Sequence, residues 1–182
     1  TRTYYATQTL GGCESKTRKA VAVTVSTLPS ISANPSTSQQ VISSGNSAIP
    51  LTITATGSGI SYQWYSNTVA TNSGGVNLGN SNGAQTNTYT PPTNITGTTY
   101  YYAIVTGTCS PSATSNTSGA IIVPEEYTWN VASGNWGTAS SWTPARNSPT
   151  ALDVLKFDGS VQLSPIVNIN TTDTIGEFRI SN

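Results

Sequence analysis

Trp129, Trp136 and Trp142 stand close together in the last third of the sequence. Aromatic faces grouped in this way could stack on the apolar sides of sugar rings, which makes the three a candidate glycan platform. The same stretch holds Asp153, Asp158 and Glu177, and two carboxylates placed across a sugar are the groups that glycoside hydrolysis uses. Both ideas have a plainer competitor. Large rings more often cover the apolar end of a β-rich unit, because each buries so much area, and scattered acidic residues more often serve turns and strand edges. The rest of the chain adds little chemistry. It contains no histidine, which removes Ser-His-Asp and Cys-His arrangements and most zinc sites. Its carboxylates are too few and too scattered for a calcium cage, and no glycine-rich phosphate loop precedes a helix. No catalysis, cofactor or metal is therefore expected.

Strands, not helices, must position these residues. Val, Ile, Thr and Tyr recur with period-two alternation between clusters of Gly, Pro, Asn and Ser, the pattern of short strands joined by turns. Thr3-Tyr4-Tyr5, Gly11 and Cys13 return as Thr99-Tyr100-Tyr101, Gly107 and Cys109 at a single offset. A repeat of about one hundred residues has the size of an immunoglobulin-type sandwich. Leu51, Ile53 and Ala55 alternate with threonines as a strand B, and Ile60, Tyr62 and Trp64 share one face of a strand C, with Trp64 as the core tryptophan. Asn82-Gly83 is a strong turn signal, Thr86 to Thr90 reads as strand E, Thr98 to Thr106 as strand F, and Ala120 to Val123 as strand G. On strand F, Tyr100 is the candidate tyrosine corner and Tyr102 occupies the place of a core cysteine.

The expected architecture is all-β. Residues 1–27 are the F and G hairpin of a preceding immunoglobulin-like domain, 28–124 a complete sandwich, and 125–182 the start of a further β-rich, solenoid-like module. The hairpin, marginal on its own, is expected to dock on upstream residues, on the next domain or on another chain. Leu28-Pro29 and Pro124-Glu125 are short linkers that limit bending. A chain that opens at Thr1, has no Met and shows no leader pattern reads as an interior segment of a longer precursor.

Seven basic and seven acidic side chains balance to zero among 182 residues, so no stripe of positive charge is available for phosphates and nucleic acid is not an expected partner. The basic cluster Lys16, Arg18 and Lys19 reads as protection of a strand edge. No apolar run reaches membrane-spanning length, and no membrane insertion is expected. Equivalent positions of tandem domains lie about a domain length apart, so no Cys13–Cys109 bond is expected. Asn94-Ile95-Thr96, Asn116-Thr117-Ser118 and Asn170-Thr171-Thr172 fit the N-glycosylation sequon, a pattern short enough to arise by chance in so Asn- and Thr-rich a chain.

Three stretches resemble secreted proteins of the Bacteroidota that leave the cell by type IX secretion. Thr3-Tyr4-Tyr5 through Gly11-Gly12-Cys13-Glu14-Ser15 to Val21, Val23 and Val25 is similar to the end of the immunoglobulin-like repeats of their giant adhesins. Thr52 to Asn67, Ser73-Gly74-Gly75, Tyr89-Thr90-Pro91-Pro92 and Gly97 to Tyr102 resemble a second variety of that repeat. Tyr127-Thr128-Trp129 through Trp136 to Trp142-Thr143-Pro144, with Asp153-Val154, is similar to the opening of a β-rich module in such proteins. The resemblance implies an extracellular stalk or spacer in adhesion or display, with neighbouring domains, surface glycans or other cell-surface proteins as partners. It also implies that Cys109 lacks a partner, since Val41-Ile42-Ser43-Ser44 stands where related repeats carry a cysteine, and that Thr174 in Asp173-Thr174-Ile175 is an O-glycosylation site. Two other roles remain open on this reading: a carbohydrate-binding accessory module of a polysaccharide-degrading enzyme, and a filament subunit that exchanges its 1–27 hairpin with a neighbour.

Overall fold

The computed structural model describes residues 2–161, 165–168 and 174–181, and over them the chain is all-β, with two single-turn 3-10 helices at Ser81–Gly83 and Ala139–Ser141. Strand pairing falls into three groups. In the first, Arg2–Ala6 pairs antiparallel with Lys19–Val23, and Thr9–Leu10 with Cys13–Glu14. Every residue of these strands is exposed. The hairpin therefore does not dock on the next unit, one of the three places expected for it.

The second group spans Ser30 to Val123. Its larger sheet runs Val76–Asn77, Ser61–Asn67, Gly97–Thr106, Ile121–Val123, Gln40–Val41, with Ala113–Thr114 also on Gly97–Thr106. Two short pairs, Ser30–Ala33 with Thr54–Thr56 and Leu51–Thr52 with Thr88–Tyr89, supply the opposing side chains. Leu51 and Tyr89 from these pairs, with Ile53 between Thr52 and Thr54, meet Trp64, Tyr101, Ala103, Val105 and Ile121 in one buried cluster. The alternation read from Leu51, Ile53 and Ala55 is thus the inward face, with Ala55, Ile60 and Tyr62 packed around the cluster. Trp64 lies opposite Ala103 and stacks on Tyr89 at 5.8 Å. Its indole N–H donates to the Thr86 carbonyl at 2.9 Å, and its backbone N–H to that of Ala84 at 2.8 Å. Ala84 is held in place by the Asn82-Gly83 turn, where both residues take positive φ (53° and 84°) and Ala84 N–H closes on the Ser81 carbonyl. Asn and Gly adopt that left-handed geometry at least cost.

Strand F departs from the expected register. The tyrosine facing Trp64's cluster is Tyr101, not Tyr102, because strict alternation from Tyr101 through Ala103 to Val105 fixes the inward set. Tyr102 is buried on the other face, stacked on Tyr65 at 5.3 Å and capped by Gly75, whose N–H donates to its hydroxyl at 3.1 Å. A Cβ on Gly75 would lie 2.8 Å from that ring, so only glycine lets the loop close over Tyr102. Tyr100 is half-buried and outside the inward set.

In the third group, Glu126–Trp129, Val154–Asp158 and Glu177–Ser181 stack parallel and in register, and Trp142–Thr143 pairs antiparallel with the first. Ser133–Asn135 runs parallel to Ile166–Asn168. The described residues contain no helix long and apolar enough to cross a membrane.

Candidate functional site

The three tryptophans come together, but as the interior of the C-terminal unit. Trp129 and Trp142 meet edge to face at 5.0 Å, Trp136 and Trp142 at 5.5 Å, and Phe157 closes on Trp129 at 5.6 Å. Exposure is 0% for Trp129, 2% for Trp142 and 8% for Trp136. The glycan-stacking expectation for Trp129, Trp136 and Trp142 is corrected here, because a platform needs a free ring face and these faces are spent on one another. The parallel register dictates this: Tyr127 and Trp129 point the same way as Leu155 and Phe157 on the next strand and Phe178 and Ile180 on the one after. The indole N–H of Trp142 donates to the Trp136 carbonyl at 3.0 Å.

The carboxylates are likewise committed. Asp153 is buried and accepts from Arg146 Nε at 2.7 Å, from Thr150 N–H at 3.0 Å and from the Thr150 hydroxyl at 2.5 Å. Arg146 is itself buried and lies over the Tyr127 ring. Burial pushes the Tyr127 hydroxyl above its ordinary range. Asp158 accepts from the hydroxyl and N–H of Ser160, and those bonds hold its carboxyl below the usual range. Glu177 is held low by the Arg179 guanidinium, which donates to both its oxygens at 2.8 Å. A general acid for glycoside hydrolysis needs the opposite shift. No cluster of three or more His, Cys, Asp or Glu able to hold a metal occurs among the described residues.

Arg179 also reaches Glu126 Oε1 at 2.7 Å and the Ser43 hydroxyl at 2.6 Å, so one side chain ties the last described strand to the first of its unit and to the central unit. A cavity of about 300 Å³ lies between Thr96–Thr98, Ile122–Glu125 and the stretch from Thr150 to Asp153, and of its two acidic members, Glu125 and Asp153, the second is locked to Arg146. A more open groove of about 620 Å³ between Gly45–Ala48 and Thr90–Asn94 carries hydroxyls, amides and two prolines, and no charged group.

Sequence reasoning did not single out Arg146, Arg179, Ser115 or Ser118. The two serines are buried, and their hydroxyls accept the N–H groups of Ala103 and Tyr101 at 2.9 and 3.0 Å. Ser118 falls in the Asn116-Thr117-Ser118 sequon, but no motif marks either serine for this backbone-bonding role. A different signal was legible: Ala20 through Pro124 contains no Asp, Glu, Lys, Arg or His, so all fourteen charges flank a charge-free unit. Cys13 is exposed, Cys109 half-buried, and both are free thiols. Thr174, Asn94 and Asn116 are exposed, whereas Asp173 and the Asn170 sequon lie outside the described residues.

No curated protein matches the chain. A family model does, over residues 32–124, the stretch whose strands build the Trp64 core and a little more than half of the chain. The chain belongs to that family, described as Domain of unknown function (DUF8696).

Proposed function

We propose that the chain is a non-catalytic structural segment of a large secreted or cell-surface protein, a stalk or spacer in adhesion or display. The observation that carries this reading is that the side chains with chemical reach are consumed by packing. Trp129 and Trp142 have no free face, and Asp153 is closed by Arg146 and Thr150. The brace from Arg179 to Glu126 and Ser43 is what a load-transmitting junction requires, since it resists bending at Pro124-Glu125.

The finer architecture follows the same line. A larger sheet facing two short strand pairs across Trp64 fits an immunoglobulin-like sandwich. The in-register parallel ladder at 126, 154 and 177 fits the first coils of a solenoid. The resemblance to the Bacteroidota repeats supports an extracellular location, with exposed Thr174 as the O-glycan acceptor.

Affinity electrophoresis of the purified chain through soluble glycans, pull-down on insoluble ones and an assay for released reducing sugar test the reading. Unretarded migration and no sugar release are expected. Retardation that disappears with Trp136→Ala, or turnover that disappears with Glu177→Gln, would replace the spacer with a carbohydrate-active module.

A further inference from the structure

The Asn82-Gly83 turn beneath Trp64 carries the chemistry by which asparagine ages. Glycine has no Cβ to shield its amide nitrogen, so that nitrogen is free to attack the preceding side-chain carbonyl carbon and close a five-membered ring. The fold requires this pair. A Cβ on Gly83, whose φ is 84°, would stand 2.5 Å from the Thr88 carbonyl oxygen, so only glycine fits. Asn82 takes φ 53° and ψ 27°. Ring closure needs the Gly83 nitrogen eclipsed with the Asn82 Cβ, which the tetrahedral carbon between them sets at a ψ of about −120°. The observed ψ lies about 150° from that value, with the Gly83 nitrogen turned to the far side of the backbone from the side chain. Three bonds hold it there: Thr90 N–H to the Asn82 carbonyl at 3.1 Å, Ala84 N–H to Ser81 at 2.9 Å, and Trp64 N–H to Ala84 at 2.8 Å. The Asn82 side chain is itself bonded to the hydroxyl of buried Tyr89.

From this geometry we propose that Asn82 is a modification site kept closed by the folded unit, so that deamidation there is an irreversible record that the unit has opened. Once the turn opens, the Gly83 nitrogen bonds to Asn82 Cγ, the Cγ–Nδ2 bond breaks, and Nδ2 leaves as ammonia with the proton of the Gly83 N–H. Water then opens the ring. Addition at Cγ breaks its new bond to the Gly83 nitrogen and leaves an aspartyl residue. Addition at the backbone carbonyl breaks the original peptide bond and leaves an isoaspartyl residue, whose chain runs on through the former side chain. The aspartyl product places a carboxylate in a stretch, Ala20 through Pro124, that has none. The isoaspartyl product lengthens the backbone of the turn by one carbon, so Ala84 no longer meets both Ser81 and Trp64. A unit changed in that way does not rebuild the Trp64 core, and opened copies are retired instead of refolded. The proposal rests on the turn alone and is independent of the spacer reading.

Peptide mapping by mass spectrometry tests it, on the full chain held in mildly alkaline buffer with and without enough guanidinium chloride to unfold it. Position 82 is expected to react at least about a hundredfold more slowly in the native chain, because the rate there follows the small population of opened molecules. After long incubation in denaturant and return to native buffer, molecules with isoaspartate at position 82 are expected to lack hydrogen-exchange protection in residues 30–123, while unreacted molecules regain it. Asn82→Gly keeps the left-handed turn and has no Cγ to attack, so it is expected to regain protection in full after the same incubation. Equal rates at position 82 in the native and unfolded chains overturn the proposal. So does full protection in the isoaspartyl molecules, or an Asn82→Gly chain that loses protection as fast as the wild type.

Discussion

The central and C-terminal units solve one problem in two ways. Each has a place where buried polar groups need partners away from the regular ladder. In the central unit the hydroxyls of Ser115 and Ser118 take the N–H groups of strand Gly97–Thr106, and no charge is used. In the C-terminal unit the loop from Arg146 to Asp153 is fastened by a buried ion pair. A hydroxyl is a cheap group to bury, since it costs one neutral hydrogen bond if lost. A buried charge is expensive, and its partner must remain. The difference separates a unit fastened without charge from one whose fastening depends on a charged pair.

The largest test of that contrast is Asp153→Asn, which takes the Asp153 charge away from buried Arg146 and is expected to cost about 3–5 kcal/mol. Urea unfolding should show the loss, and hydrogen exchange should place it in residues 125–161 while the Trp64 core stays protected. Removing both charges together, as Arg146→Met with Asp153→Leu, should cost far less, because an apolar pair of similar volume is often neutral. Ser115→Ala is the matching test in the central unit. It strands the Ala103 N–H in a buried position and is expected to cost about 1–3 kcal/mol, with no dependence on salt.

The smallest effect is in the pH profile. Asp158 and Glu177 have folded pKa values below their unfolded ones, so the stability they contribute is present above the unfolded value of about 4 and is lost as pH falls through the folded values. The C-terminal unit should therefore loosen in acid. The central unit has no carboxylate to protonate. Its shifted groups are Tyr89 and Tyr101, both raised chiefly by burial. Their stabilising effect is complete below about pH 10 and is lost as pH rises toward the folded values. Protection factors, corrected for the intrinsic slowing of amide exchange in acid, should fall from neutral to acid pH in residues 125–161 and 174–181 and not in 30–123. Parallel acid loosening of both units would break the comparison.

Much of the central unit was legible because alternation of apolar and hydroxyl residues is a strand's own period. Leu51, Ile53, Trp64 and the Asn82-Gly83 turn fall where that pattern puts them. The miss on strand F has a physical cause: three consecutive tyrosines suit either face, so Tyr100, Tyr101 and Tyr102 carry no internal phase, and only Ala103 and Val105 set it. The tryptophans were legible as a group, yet their burial was not, because it rests on parallel pairing between strands more than twenty residues apart. The same holds for Arg146, Asp153 and Arg179, whose partners are chosen by folded geometry and leave no periodic trace.

The charge-free middle has a further consequence for the life of this molecule among proteases. Enzymes that cut after lysine or arginine find no target between Lys19 and Arg146, and Arg146 is sealed against Asp153. Enzymes that cut after acidic residues find none between Glu14 and Glu125. Digestion by the first class would trim the exposed hairpin at Lys16, Arg18 and Lys19 and leave the Trp64 unit whole, even through moments when it unfolds.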